Sequence, residues 1–254
     1  MKQGWLVNKE HVFIALSNGL KKAKPVVVVK GLFHCFLLFS YLPLFSQETA
    51  SVEAYRKVVT ERAAKIINVL QLKDTVQYNK VLTAVAGHYI ITNQIHANSN
   101  AKIIAIKKED KTDTAKKLAV VSEEAFKMTA LTKQHSAFLD ELQKAITAEE
   151  VEKIKDGMTY KIYPITFAAY QDMLPNLSAE QKLKVETWLK EAREFAMDAE
   201  SAEKKHAVFG KYKGRINNYL SASGYDLKKE TEAWQKRIKE RESIKNNNQE
   251  ATNE

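Results

Sequence analysis

Residues 146–181 read ITAEEVEKIKDGMTYKIYPITFAAYQDMLPNLSAEQ, and two short strings inside them decide the fold class. Thr147-Ala148-Glu149-Glu150 and Ser178-Ala179-Glu180-Gln181 each set a hydroxyl residue three positions before a Glu or Gln. This is the capping-box pattern, in which side chain and backbone at a helix start satisfy one another's hydrogen bonds. The copies lie 31 residues apart, which convergent helix starts explain as well as a true repeat does. Between them Gly157 interrupts a helical pattern and Pro164 biases Tyr163 toward extended backbone. Phe167, Tyr170, Met173 and Leu174 then resume a short helix that Pro175 ends.

Upstream, apolar residues recur at helical spacing from Ser51 to Leu72 (Val52, Tyr55, Val59, Ala63, Ile66, Ile67, Leu70). Asp74 or Thr75 is placed to cap a second helix through Val81, Leu82, Val85, Tyr89 and Ile95, ending near Asn98-Ser99-Asn100. Lys102 to Thr114 either extends that helix or connects it to the next, which Asp113 is placed to cap. The next is a long helix from Thr114 to Ala145 through Leu118, Val121, Ala125, Met128, Leu131, Phe138 and Leu142. Downstream, a helix from Ser178 to about Glu200 is expected to bury Leu183, Val185, Trp188, Leu189 and Phe195. A charged helix from Leu227 to Arg241 is anchored by Trp234 and Ile238. No hairpin signature or sustained alternation of apolar and polar residues interrupts this series. The fold class is all-α, a single multi-helix, bundle-like domain.

The net charge of +9 is unevenly placed, because residues 1–46 hold six lysines against one glutamate and the rest carries only +4. That argues against a nucleic-acid partner. The leader's lysines precede the apolar run Gly31 to Phe45 and then Ser46, the layout of a secretory signal. The run is short for a transmembrane helix of about 20 residues. The expected division is a signal peptide over 1–46, a helical domain over 47–245 and a disordered tail over 246–254. Export to the periplasm or exterior follows, with membrane contact only through the signal segment before cleavage; an uncleaved anchor is the alternative. Cys35, the one cysteine, falls in the leader. The mature chain thus has no disulfide framework, thiolate nucleophile or cysteine-based zinc site.

The stretch Lys204 to Leu227, KKHAVFGKYKGRINNYLSASGYDL, concentrates cations, aromatics and glycines. Lys205, His206, Lys211, Lys213 and Arg215 alternate with Tyr212, Tyr219 and Tyr225, while Gly210, Gly214 and Gly224 imply turns or close backbone approach. Such a surface suits an acidic oligosaccharide, with Arg215 gripping a carboxylate and the tyrosines stacking on sugar rings. The alternative is a helix whose Phe209, Tyr212, Ile216, Tyr219 and Leu220 pack inward.

Lys155-Asp-Gly-Met-Thr-Tyr160, Tyr170-Gln-Asp-Met-Leu-Pro175 and Lys205-His-Ala-Val-Phe-Gly-Lys-Tyr-Lys-Gly-Arg-Ile-Asn-Asn-Tyr219 resemble domain-of-unknown-function family 3826. The resemblance covers roughly Thr49 to Arg241. It implies an exported bacterial helical domain in a polysaccharide-degrading setting, and it carries no catalytic residue. The two capping strings are also similar to Leu-Thr-x-x-Gln signatures of small periplasmic helical chaperones.

Asp156, Asp172 and Asp198, with Glu191, Glu194 or Glu200, are candidates for an acid–base carboxylate pair. Asp156, beside Gly157, and His206, beside the basic cluster, are the catalytic candidates; capping and surface solvation are the competing roles. His88 and His96 share a helix face two turns apart but cannot chelate one ion directly, so no metal and no cofactor is expected. Three functions remain open. The first is a non-catalytic binding or accessory protein whose partner is acidic oligosaccharide or another envelope protein. The others are a carbohydrate-active enzyme and a periplasmic helical chaperone.

Overall fold

A computed structural model describes residues 43–251, with side chains from Val52 to Ile244. The leader's Cys35 and most of its apolar run lie outside the described residues. Among the described residues eight α-helices follow one another: α1 (Pro43–Ile67), α2 (Thr75–Lys108), α3 (Asp113–Ala145), α4 (Ala148–Met158), α5 (Ile162–Met173), α6 (Ala179–Met197), α7 (Ala202–Ala222) and α8 (Leu227–Ala251). Among the described residues no strand is present, and no helix is long and apolar enough to cross a membrane.

The helix starts follow the local chemistry. Asp74 accepts from the Val76 and Gln77 amides to begin α2. Thr147 and Ser178 each form the complete capping box. Thr112, rather than Asp113, caps α3 through the Ala115 amide. Where the expected end of α2 lay, Ser99 is buried and the helix continues to Lys108. Pro164 is the third residue of α5, where its missing N–H would have had no helical partner in any case, so Tyr163 is helical rather than extended. α8 runs through Ala251, and the last three residues of the expected tail lie outside the described residues.

Two apolar cores are stacked along α6. The first joins α1, the inner halves of α2 and α3, and α4 through Val59, Ile67, Val85, Phe138, Leu142 and Ile154. The second joins α5, α6 and α7 through Tyr170, Trp188, Leu189, Phe209, Ile216 and Leu220. α6 serves both: Met197 packs in the first, Ala192 and Ala196 in the second. α8 is held by Asp172, which accepts from Trp234 Nε1 at 2.7 Å and from Arg241 Nη1 at 3.0 Å and Nη2 at 2.6 Å.

α2 and α3 form an antiparallel hairpin tied at its base by Gln77 Nε2 donating to the Ala145 carbonyl (2.7 Å) and farther out by Lys102 with Glu123 (3.4 Å). At 34 and 33 residues, each helix is about 50 Å long. No residue between Asn100 and Ala130 is buried. Leu118, Val121 and Met128, expected in the core, are therefore exposed, as are Leu183 and Phe195 of α6. The periodicity is helical, but these side chains stay largely in solvent.

The glycines divide. Gly210 and Gly214 lie inside the unbroken α7 with open space around them, so neither makes a turn or a close approach. Gly224 does turn the chain, at φ +95°. Gly157 stays within α4, and a Cβ there would lie 2.8 Å from Ile66 Cγ2 of α1. Gly157→Ala is accordingly expected to lower stability by about 1–3 kcal/mol through overpacking, measurable as a reduced urea midpoint.

α4 closes with Lys161 N–H donating to the Asp156 carbonyl (2.7 Å) and Tyr160 N–H to that of Gly157 (3.5 Å), the paired bonds of a Schellman motif. Its left-handed position normally takes glycine, yet Tyr160 (φ 57°) occupies it and Lys161 (φ 56°) follows in the same region. Each such residue costs about 1–2 kcal/mol relative to right-handed backbone.

Candidate functional site

The seam between the two cores is polar, and α6 supplies its centre. Arg193 is 1% exposed. Its Nη1 donates to Asp156 Oδ1 at 2.6 Å, and its Nη2 donates to Glu152 and, at 3.4 Å, to Glu194 Oε1. The guanidinium carbon stands 5.1 Å from the centroid of the Tyr163 ring. One turn on, Asp198 Oδ2 lies 2.9 Å from His135 Nδ1 of α3, and Oδ1 lies 3.1 Å from His88 Nε2 of α2. The other nitrogen of His135 faces Glu194 Oε2 at 3.3 Å, and Lys155 Nζ reaches the same oxygen at 3.1 Å. His96 Nε2 sits 2.8 Å from the Asp198 carbonyl oxygen, and His88 stacks on Phe138 at 4.3 Å.

Charges at this depth persist only when paired, and the protonation equilibria follow the pairing. Contacts from Asp198 and Glu194 raise His135 to about 9. Burial by itself would raise the carboxyl of Asp198, but His135 and His88 override it and hold it below its ordinary value. Glu194 is likewise lowered against burial by His135, Lys155 and Arg193. At neutral pH His135 is an imidazolium between two carboxylates. The Asp198 contacts are close but off the line of an N–H···O bond, since His88 Nε2, His135 Nδ1 and Asp198 Oδ1 have no aligned partner. Among the described residues no cluster of three or more His, Cys, Asp or Glu side chains is arranged to hold a metal ion.

The seam opens on one side into a groove of about 700 Å³ between α3, α6 and α7. His135, Glu194 and Asp198 form its floor, and Phe195 and Tyr212, with rings 6.5 Å apart, form a wall. Exposed Lys204 and Lys211 stand at the rim, and neither has a carboxylate within ion-pair distance among the described residues. Carboxylates and imidazolium edges exchange hydrogen bonds readily with hydroxyls. An aromatic wall offers apolar area to a ring, and apolar walls with a few placed polar groups are the usual balance of a small-molecule site.

Because α7 is a continuous helix, the sequence-predicted surface is divided among its faces. Lys211 and Tyr212 reach the groove. Lys205 is buried: its ammonium donates to the carbonyls of Met158 (3.2 Å) and Met197 (3.3 Å), the last residues of α4 and α6, where helix dipoles are negative. Burial lowers it to about 8. His206 stacks on Tyr160 at 5.7 Å, on another side. Arg215 lies over Trp188 at 4.3 Å, and Tyr219 meets that ring edge-on. Lys213 borders a small recess beside Tyr170 and Trp234. Tyr225 donates to Gln181 Oε1 of the second capping box at 3.0 Å. Asp156, the first catalytic candidate, is held by Arg193. The carboxylates Asp156, Asp198 and Glu194 stand out in the sequence, but their cations Arg193 and His135 do not; the only signal for Arg193 was a basic residue in an otherwise apolar face of α6.

A family model described as "Protein of unknown function (DUF3826)" matches residues 56–240. No curated protein matches the chain.

Proposed function

The chain belongs to the DUF3826 family of unknown function, and from that footing we propose that it is an exported, non-catalytic binding or accessory protein that takes carbohydrate in the groove between α3, α6 and α7. The observation that carries this reading is the Phe195–Tyr212 wall standing over the His135–Glu194–Asp198 floor, with Lys204 and Lys211 free at the rim to meet an acidic sugar. Binding is favoured over catalysis because the acids and bases of the seam are already engaged. Carboxylates flank both ring nitrogens of His135, and Arg193 holds Asp156.

Titration with neutral and uronic-acid oligosaccharides tests the assignment. Tyr212→Ala is expected to weaken binding by about tenfold, the loss of one stacking contact. Lys211→Ala is expected to weaken only the acidic ligands, and more so at low salt. Unchanged binding in both variants removes the groove as the site. A helical chaperone is the second reading, favoured by the exposed Leu118, Val121 and Met128 along α3. Suppression of client aggregation without any glycan binding would select it.

A further inference from the structure

We propose that a second recess, between α1 and the α4–α5 turn, is a binding site for a ring-bearing oxyanion: a carboxylate, sulfate or phosphate carried on a sugar or aryl ring. The recess has a volume of about 590 Å³, and Arg62, Lys65, Lys153 and Lys161 line it against the single carboxylate Asp156. That carboxylate is taken by Arg193, and Lys153 is paired with Glu149 at 2.8 Å. Arg62, Lys65 and Lys161 have no carboxylate within ion-pair distance among the described residues. In the groove described above Lys204 and Lys211 are also unpaired among the described residues, but its lining carries no net excess of cations. Lys127, Lys204, Lys211 and the His135 imidazolium are equalled in number there by Glu124, Glu194, Asp198 and Glu200.

The lining between these cations is apolar and aromatic. Ile66, Val69 and Met158 contribute alongside Tyr89, whose ring has Arg62 at 5.5 Å and the buried Lys205 ammonium at 5.4 Å. Tyr160 forms the outer wall. It is 48% exposed and is backed by the parallel His206 ring, inclined by only 4°. Its backbone stands in the left-handed position that glycine fills without strain. An aromatic residue held there against its backbone preference is explained by what its ring does, and strain of this kind concentrates at ligand sites. Cations that grip an oxyanion beside rings that stack on the body carrying it fit one ligand class.

The test is calorimetric titration of the purified protein with glucuronate, 4-hydroxybenzoate and inorganic sulfate, with glucose as the neutral control. The ring-bearing anions are expected to bind saturably and more weakly as salt rises, inorganic sulfate less tightly, and glucose not at this recess. Arg62→Ala should weaken the anions by about tenfold, as loss of a charge-assisted hydrogen bond does. Tyr160→Gly is the decisive variant, because relief of the left-handed strain keeps the fold at least as stable while the wall is lost. It should weaken glucuronate and 4-hydroxybenzoate without lowering the melting temperature. Tyr212→Ala should leave 4-hydroxybenzoate untouched and remove only the glucuronate binding that belongs to the groove, so that the component lost in Tyr160→Gly persists in it, which separates this site from the groove. The proposal is overturned if no oxyanion binds, if Tyr160→Gly binds like the wild type, or if only Tyr212→Ala abolishes binding.

Discussion

Arg193→Met is expected to cost about 3 kcal/mol of stability, near the lower end of what breaking a buried ion pair costs. The guanidinium is almost fully enclosed, yet its partners Glu152 and Asp156 keep side-chain exposures of 46% and 23%, so water rescues part of their charge when it leaves. The loss should lower the melting temperature by about 6–12 °C for a domain of this size. Adding Glu152→Gln and Asp156→Asn to Arg193→Met should recover part of the loss, because the penalty comes from stranded carboxylates rather than from the missing methylene volume. If calorimetry shows Arg193→Met melting like the wild type, the seam does not hold the two cores together.

The second large effect is a pH dependence centred on His135. Its folded value of about 9 lies above its ordinary 6.5, so the folded protein binds this proton more tightly than the unfolded chain does. The stabilisation is complete below pH 6.5 and is lost as pH rises through about 9. The full shift is discounted for the off-line contact with Asp198 and for partial exposure, which leaves about 2 kcal/mol. Lys205 acts with the opposite sign. Burial lowers it from 10.5 to about 8, so its contribution rises with pH across that interval. Between pH 6.5 and 8 the decline from His135 dominates, and urea midpoints there should fall in the wild type and stay level in His135→Gln. A flat wild-type profile would mean that His135 is neutral in the folded protein.

The parts of this fold that a reader could see in the chain are those set by neighbours in sequence. Thr147 and Ser178 cap helices because the bonds they satisfy lie three residues away, and Asp74 does the same. Gly210 and Gly214 misled for the opposite reason: the helical cost of glycine is about 1 kcal/mol, and the packing of Phe209, Ile216 and Leu220 outweighs it. The exposure of Leu118 and Phe195 was hidden because periodicity identifies an apolar face without saying whether another element reaches it. The seam was hidden more deeply. His88, His135, Asp156, Arg193 and Asp198 come from four helices and the end of one of them, and no short spacing ties them together. Lys205 looked like part of a ligand surface because a lysine among cations gives no sign that two helix ends will close over it.

The α2–α3 hairpin has a consequence for motion. Beyond Asn100 its two helices rest on each other alone, with no buried side chain until Leu131 and a lysine–glutamate pair as a cross-tie. Amide protons in that outer half need only the local parting of one helix pair to meet solvent, whereas those around Val85 and Phe138 wait for the whole first core to open. Deuterium uptake should therefore sweep inward along the arm over time, so that the same two helices hold both fast-labelled and slow-labelled parts of the described residues.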